Sequence, residues 1–103
     1  MIKISVLYPA KNGESFDMEY YRTKHMPMVQ RLCGSACKGI AAEGGLAGGT
    51  PGSPAPFAAI GELLFDSVEA FTTAFTPHAA EIMGDIPNYT KIEPVIQISE
   101  ITL

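Results

Sequence analysis

The chain has no tryptophan, two cysteines and two histidines, and only 7 of its 103 residues are lysine or arginine. Each scarcity removes a class of function. With 11 acidic residues the net charge is -4 at pH 7, and the basic side chains are scattered. Neither a nucleic acid nor an anionic membrane surface would find a cationic patch here. No apolar run approaches the length of a membrane-crossing helix, and the start, MIKISVLYP, lacks the charged region, long apolar core and small-residue cleavage site of a secretory signal. The cytoplasm is therefore the expected location. Cys33 and Cys37 are spaced C-x3-C, outside the redox and zinc-knuckle patterns, and are read as small, mostly buried thiols. Joining them to His25 and His78 in a metal centre would require ligands from distant segments, so no metal is expected.

What is present is a globular pattern, 47% hydrophobic, read as one domain over residues 1–103. Residues 2–8, IKISVLY, alternate as a strand, with Ile2, Ile4, Val6 and Tyr8 on one face and Lys3, Ser5 and Leu7 on the other. PAKNGES reads as a turn. Asp17 then has the position of a helix N-cap, with Phe16 before it able to staple onto Tyr21, and Gly34 can end the helix after about Leu32. CKGIAAEGGLA is a weak strand and FAAIGELLF a clear one. Ser67 caps a second helix that Pro77 restarts, and GDIPNYT is a turn. KIEPVIQISEITL is the last strand.

The order β-α-β-β-α-β predicts an α+β, ferredoxin-like fold, an antiparallel four-stranded sheet with both helices on one face. The helices are expected to cover the face carrying Ile2, Ile4, Val6, Ile96 and Ile98. The opposite face, with Ser5, Leu7, Gln97, Ser99 and Ile101, is too apolar to be fully solvated. A homodimer through these sheet faces would bury it.

On the first helix the expected inward stripe is Met18, Tyr21, His25, Met28, Val29 and Leu32. His25 thus faces the sheet, one turn beyond Tyr21. Pro27 cannot donate to the Thr23 carbonyl, so the helix should kink or loosen just past His25 and open a gap beside it. Two readings of His25 follow. A core histidine would donate to a nearby carbonyl, whereas a site histidine would keep one ring nitrogen for a ligand while Tyr21 or the Thr23 carbonyl held the other.

Phe16, Tyr20, Tyr21, His25 and Pro27, in the form F-x3-YY-x3-H-x-P, resemble the first-helix signature of the EthD family, named for ethyl tert-butyl ether degradation. The tail FDSVEAF through PVIQISEI is also similar to bacterial members, so the resemblance spans essentially the whole chain. It implies a ferredoxin-like protomer that pairs into a dimeric α/β barrel, with a ligand pocket between sheet and helices of each protomer. The family histidine maps onto His25 and the aromatic before it onto Tyr21.

The resemblance implies no settled reaction: some members are labelled oxidoreductases, and relatives on the fold isomerise, dehydrate, cyclise or oxygenate. The expected function is therefore an enzyme of catabolic or secondary metabolism that acts on a hydrophobic, oxygenated small molecule by proton transfer. No cofactor is expected. His25 would be the acid or base and Tyr21 a hydrogen-bond donor. The alternative is a binding or auxiliary protein of an oxygenase pathway, in which His25 only meets the ligand. Ile4, Val6, Tyr8, Met28, Glu62, Phe75 and Tyr89 are the expected substrate-binding residues, Glu62 because it is a carboxylate in an otherwise apolar strand. The loop from Gly44 to Pro56 lacks both a phosphate-loop and a dinucleotide pattern and is expected to be mobile.

Overall fold

The computed structural model describes residues 1–11 and 13–103. Part of the turn expected at PAKNGES, Asn12, lies outside the described residues. Strand β1 (Ile2–Pro9) leads to helix α1 (residues 18–33), strands β2 (Gly39–Gly44) and β3 (Phe57–Phe65), helix α2 (residues 68–84) and strand β4 (Val95–Glu100). The sheet order is β2-β3-β1-β4 and every neighbouring pair is antiparallel, which is the ferredoxin-like arrangement.

Local signals start each helix. The Asp17 carboxylate accepts from the Tyr20 backbone N–H at 3.1 Å, and the Phe16 and Tyr21 rings meet edge to face at 5.0 Å as the staple requires. At α2, the Ser67 hydroxyl accepts from the Ala70 N–H at 3.0 Å. Gly34 ends α1 with φ of 65°, a left-handed conformation that a side chain would resist. Within α2, Pro77 lies in a 3-10 turn (Thr76–His78) between two α-helical segments.

Register decides what each face carries. Ile2, Ile4, Val6 and Tyr8 oppose Phe65, Leu63, Gly61 and Ala59 on the helix side, and burying each large apolar side chain contributes roughly 1.5–3 kcal/mol. Lys3, Ser5 and Leu7 oppose Leu64, Glu62 and Ile60 on the open side. Ile96 and Ile98 share the helix side with Val6 and Ile4, yet they stay 47% and 43% exposed. Because β4 is an edge strand, the helices do not cover this end of the face as the sequence suggested.

Helix α1 also departs from a regular stripe. It is α-helical at Met18–Tyr20, π-helical at Tyr21–His25 and α-helical again at Met26–Cys33. The loosening expected past His25 falls before Pro27, with the Met26 N–H donating to the Tyr21 carbonyl in a wide turn. That turn holds an extra residue and advances the phase of everything after it. Met26, Val29 and Cys33 are buried, while Met28 and Leu32 are only partly so.

Candidate functional site

The extended connection between α2 and β4 is tied to the start of α1. The Asp17 N–H donates to the Tyr89 carbonyl at 2.8 Å, Phe16 bridges Thr90, and the Thr90 hydroxyl donates to the Ser15 carbonyl at 2.8 Å. This stitching lays residues 85–90 along the aromatic side of α1. Tyr8, Phe16, Tyr21, His25 and Tyr89 form one aromatic cluster there. In the wide turn, residues four apart stand nearly above one another, and the Tyr21 and His25 rings stack 5.5 Å apart at 14°.

His25 is 4% exposed. Its Nδ1 lies 2.9 Å from Oδ2 of Asp85, not against the Tyr21 hydroxyl or the Thr23 carbonyl expected from sequence. The other carboxylate oxygen, Oδ1, accepts from the Tyr20 hydroxyl at 2.7 Å and from the Asn88 side-chain amide at 2.8 Å. Burial pushes the Asp85 carboxyl up, but the hydrogen bonds from Asn88, His25 and Tyr20 outweigh it and hold the group below the usual carboxylate range. A carboxylate only accepts, so His25 carries its proton on Nδ1. Burial also lowers the imidazole pKa, against the opposing pull of Asp85, so the ring is neutral near pH 7.

Among the described residues, Nε2 makes no side-chain hydrogen bond and no sealed side-chain nitrogen or oxygen lacks a partner, so Nε2 opens on space. His25 is one of the residues that line a cavity of about 240 Å³ between sheet and helices. Ile4, Val6 and Tyr8 line it from β1, Gly61 and Leu63 from β3, and Tyr21, His25, Met26 and Val29 from α1. Phe71, Phe75, Ile82 and Met83 of α2, with Ile86 and Ile96, complete it. Among the described residues, no carboxylate, lysine or arginine appears in this lining. Burial raises the phenol pKa of Tyr8 and, much further, that of Tyr21 and Tyr89, so all three hydroxyls keep their protons.

Of the residues singled out from sequence, Ile4, Val6, Tyr8, Tyr21, His25 and Phe75 meet around this cavity. Three do not line it. Met28 is turned aside by the phase shift of the wide turn, which puts Met26 in its place. Glu62 pairs with Ser5 in register and lies on the open face, where its carboxylate meets Lys3 Nζ at 3.1 Å. Tyr89 is a buried backing residue: its hydroxyl is 2.6 Å from that of Tyr8, and its ring centroid is 4.7 Å from His25. His78 sits in the 3-10 turn of α2, away from the cavity.

Sequence reasoning missed Asp85. One signal was present, since an acid that caps the C-terminus of a helix opposes the helix dipole and calls for a tertiary partner.

The EthD domain family matches residues 13–93. An EthD-like protein from Ralstonia eutropha of known crystal structure is 49% identical and superposes with a TM-score of 0.94, covering 99% of this chain and 92% of that one. An ethyl tert-butyl ether (EthD) family protein from Bacillus halodurans is 17% identical with a TM-score of 0.68, covering 99% of both chains. A candidate antibiotic biosynthesis monooxygenase from Bordetella bronchiseptica, 15% identical with a TM-score of 0.62, covers 99% of this chain and 97% of its own. No curated protein matches the chain. The last two likenesses, both under 20% identity, concern the fold alone.

Proposed function

The chain belongs to the EthD domain family, and from that premise we propose that it binds a hydrophobic, oxygenated small molecule and moves a proton on it, with His25 as the base. One observation carries this reading: His25 is anchored at Nδ1 by Asp85, has no partner at Nε2 among the described residues, and lines an apolar cavity. A neutral imidazole in an apolar site, oriented by a carboxylate, is a competent general base, and such groups contribute typically 10²–10⁴-fold. Tyr21, stacked on His25 and kept protonated, is the donor for a substrate oxygen. The process served would be catabolic or secondary metabolism, and the step would need no bound cofactor.

Proton transfer can be read directly. Purified protein in D₂O is mixed with small cyclic ketones, and loss of the proton signals next to the carbonyl is followed by NMR. Exchange above the buffer rate is expected, rising with pH through the lowered imidazole pKa and then levelling. Ketones that bind without exchanging would overturn catalysis and leave a non-catalytic binding or auxiliary protein. The absence of any second acid or base beside His25, other than tyrosine, in the described lining favours that alternative.

We also propose that two copies pair through their open sheet faces. Leu7, Ile60 and Leu64 are half-buried there, and Val95 is 57% exposed. Together they leave an apolar patch around the Lys3–Glu62 pair. Sedimentation at micromolar concentration should give a dimer, and a stable monomer would count against it.

A further inference from the structure

The hydrogen bonds around Asp85 determine which chemical group the cavity can receive, an inference that rests on the small-molecule reading above. Asp85 Oδ2 accepts the Nδ1 proton of His25, which leaves Nε2 a bare acceptor on a ring that lines the cavity, where the other polar side chains described are the tyrosines Tyr8 and Tyr21. A ligand group that bonds Nε2 must therefore offer a proton there. A ketone, ether or ester oxygen brought to Nε2, and not to the Tyr21 hydroxyl, would set lone pair against lone pair in an apolar site, and both would lose their water without gaining a bond. A carboxylate would meet the same lone pair with no lysine or arginine among the described lining residues to balance its charge.

Size limits the ligand further. A dry cavity of about 150 Å³ already accepts benzene, so about 240 Å³ holds one substituted ring.

We propose that the site selects neutral, single-ring or similarly sized hydrophobic molecules bearing a hydroxyl donor, of the phenol or enol class, and that Asp85 is the positioning residue that sets this polarity.

The carboxylate's other contacts make the polarity reversible by one atom. Oδ1 is held by two donors, the Tyr20 hydroxyl and the Asn88 amide. In Asp85→Asn, the amide oxygen must stay with those two donors, which turns the NH₂ toward His25. Nδ1 then has to accept, the ring proton moves to Nε2, and the cavity presents a donor instead of an acceptor. A merely structural Asp85 would not produce this inversion.

The test uses the purified full chain with four probes of similar size: 4-ethylphenol, its methyl ether, 4-methylacetophenone and 4-ethylbenzoate. Affinities are read by calorimetry, and the His25 ring nitrogens by ¹⁵N NMR. The wild type should bind the phenol at least about tenfold more tightly than its methyl ether, one net hydrogen bond to an otherwise unpaired group, and should not bind the benzoate. Its Nδ1 should be protonated and Nε2 bare. Asp85→Asn should reverse the two nitrogen signals, erase the phenol preference and bind the acetophenone more tightly than the wild type does. Equal wild-type affinity for phenol and ether, or a phenol preference that survives Asp85→Asn, would overturn the inference while leaving the proton-exchange reading intact. Failure of every probe to bind would overturn both. Because the wild-type pair decides by itself, the test stands even if Asp85→Asn does not fold.

Discussion

Replacing His25 with phenylalanine should reduce ketone proton exchange at least about 100-fold, the lower range of what a positioned base contributes, while the protein stays folded. The ring is buried against Tyr21 and Tyr89, with centroids 5.5 Å and 4.7 Å away, and phenylalanine can keep that stacking. It removes the nitrogen on each side. Asp85 would lose one of three donors and keep Tyr20 and Asn88. His25→Ala is a less clean test, because it also deletes packing in a close cluster and should cost about 1–3 kcal/mol whether or not the residue is functional. A histidine at the rim of an open pocket would have little packing to lose, but this one is buried among aromatic rings and also lines the cavity. Normal exchange by His25→Phe would end its assignment as the base.

The same variant should change how stability responds to acid. In the unfolded chain the imidazole titrates near its ordinary 6.5, and in the folded protein burial lowers that value despite Asp85. As pH falls through 6.5 the unfolded state takes up the proton first, so stability is lost progressively until the folded imidazole also protonates. Asp85, held below its ordinary 3.8, adds a second loss in the same direction at lower pH. Melting temperatures taken from about pH 7.5 to about pH 5 should therefore fall more steeply for wild type than for His25→Phe. Parallel slopes would mean that the folded imidazole is not depressed.

How far the sequence reached depends on how local each feature is. Strand alternation, the Asp17 and Ser67 caps and the Phe16–Tyr21 staple are settled within a few residues, and each is found where its pattern placed it. The order of elements then left little freedom for the sheet. The face to which Glu62 points is not local, since it follows from its pairing with Ser5 across the strands. The wide turn is only half legible: Pro27 announced an irregularity, but whether it would fall before or after His25 depends on how Tyr21 and His25 pack on Tyr89. Asp85 lies 60 residues from its partner, brought there by the stitching of Thr90 to Ser15. Nothing in the helix signature points so far along the chain.

Gly61 is where the cavity's shape is most sensitive to one carbon atom. It stands in β3 opposite Val6, on the face that lines the cavity, and the Tyr21 hydroxyl rests on it. A Cβ at this position would overlap that hydroxyl and come within 3.1 Å of the ring carbon that bears it. The tyrosine has little freedom to retreat, because Phe16 and Tyr89 hold its ring at centroid distances of 5.0 Å each and His25 stacks on it. Gly61→Ala should therefore destabilise by about 1–3 kcal/mol, the usual range for overpacking a filled core. In a chain of this size that lowers the melting temperature by roughly 4–8 °C per kcal/mol. If the hydroxyl is the obstruction, Tyr21→Phe should remove much of the penalty. The double variant should then be less destabilised than the sum of the two single changes by at least about 0.5 kcal/mol, although the ring carbon remains close enough to prevent full rescue. Strictly additive losses would show that the strain of the added carbon falls elsewhere in β3, and that Gly61 does not seat Tyr21.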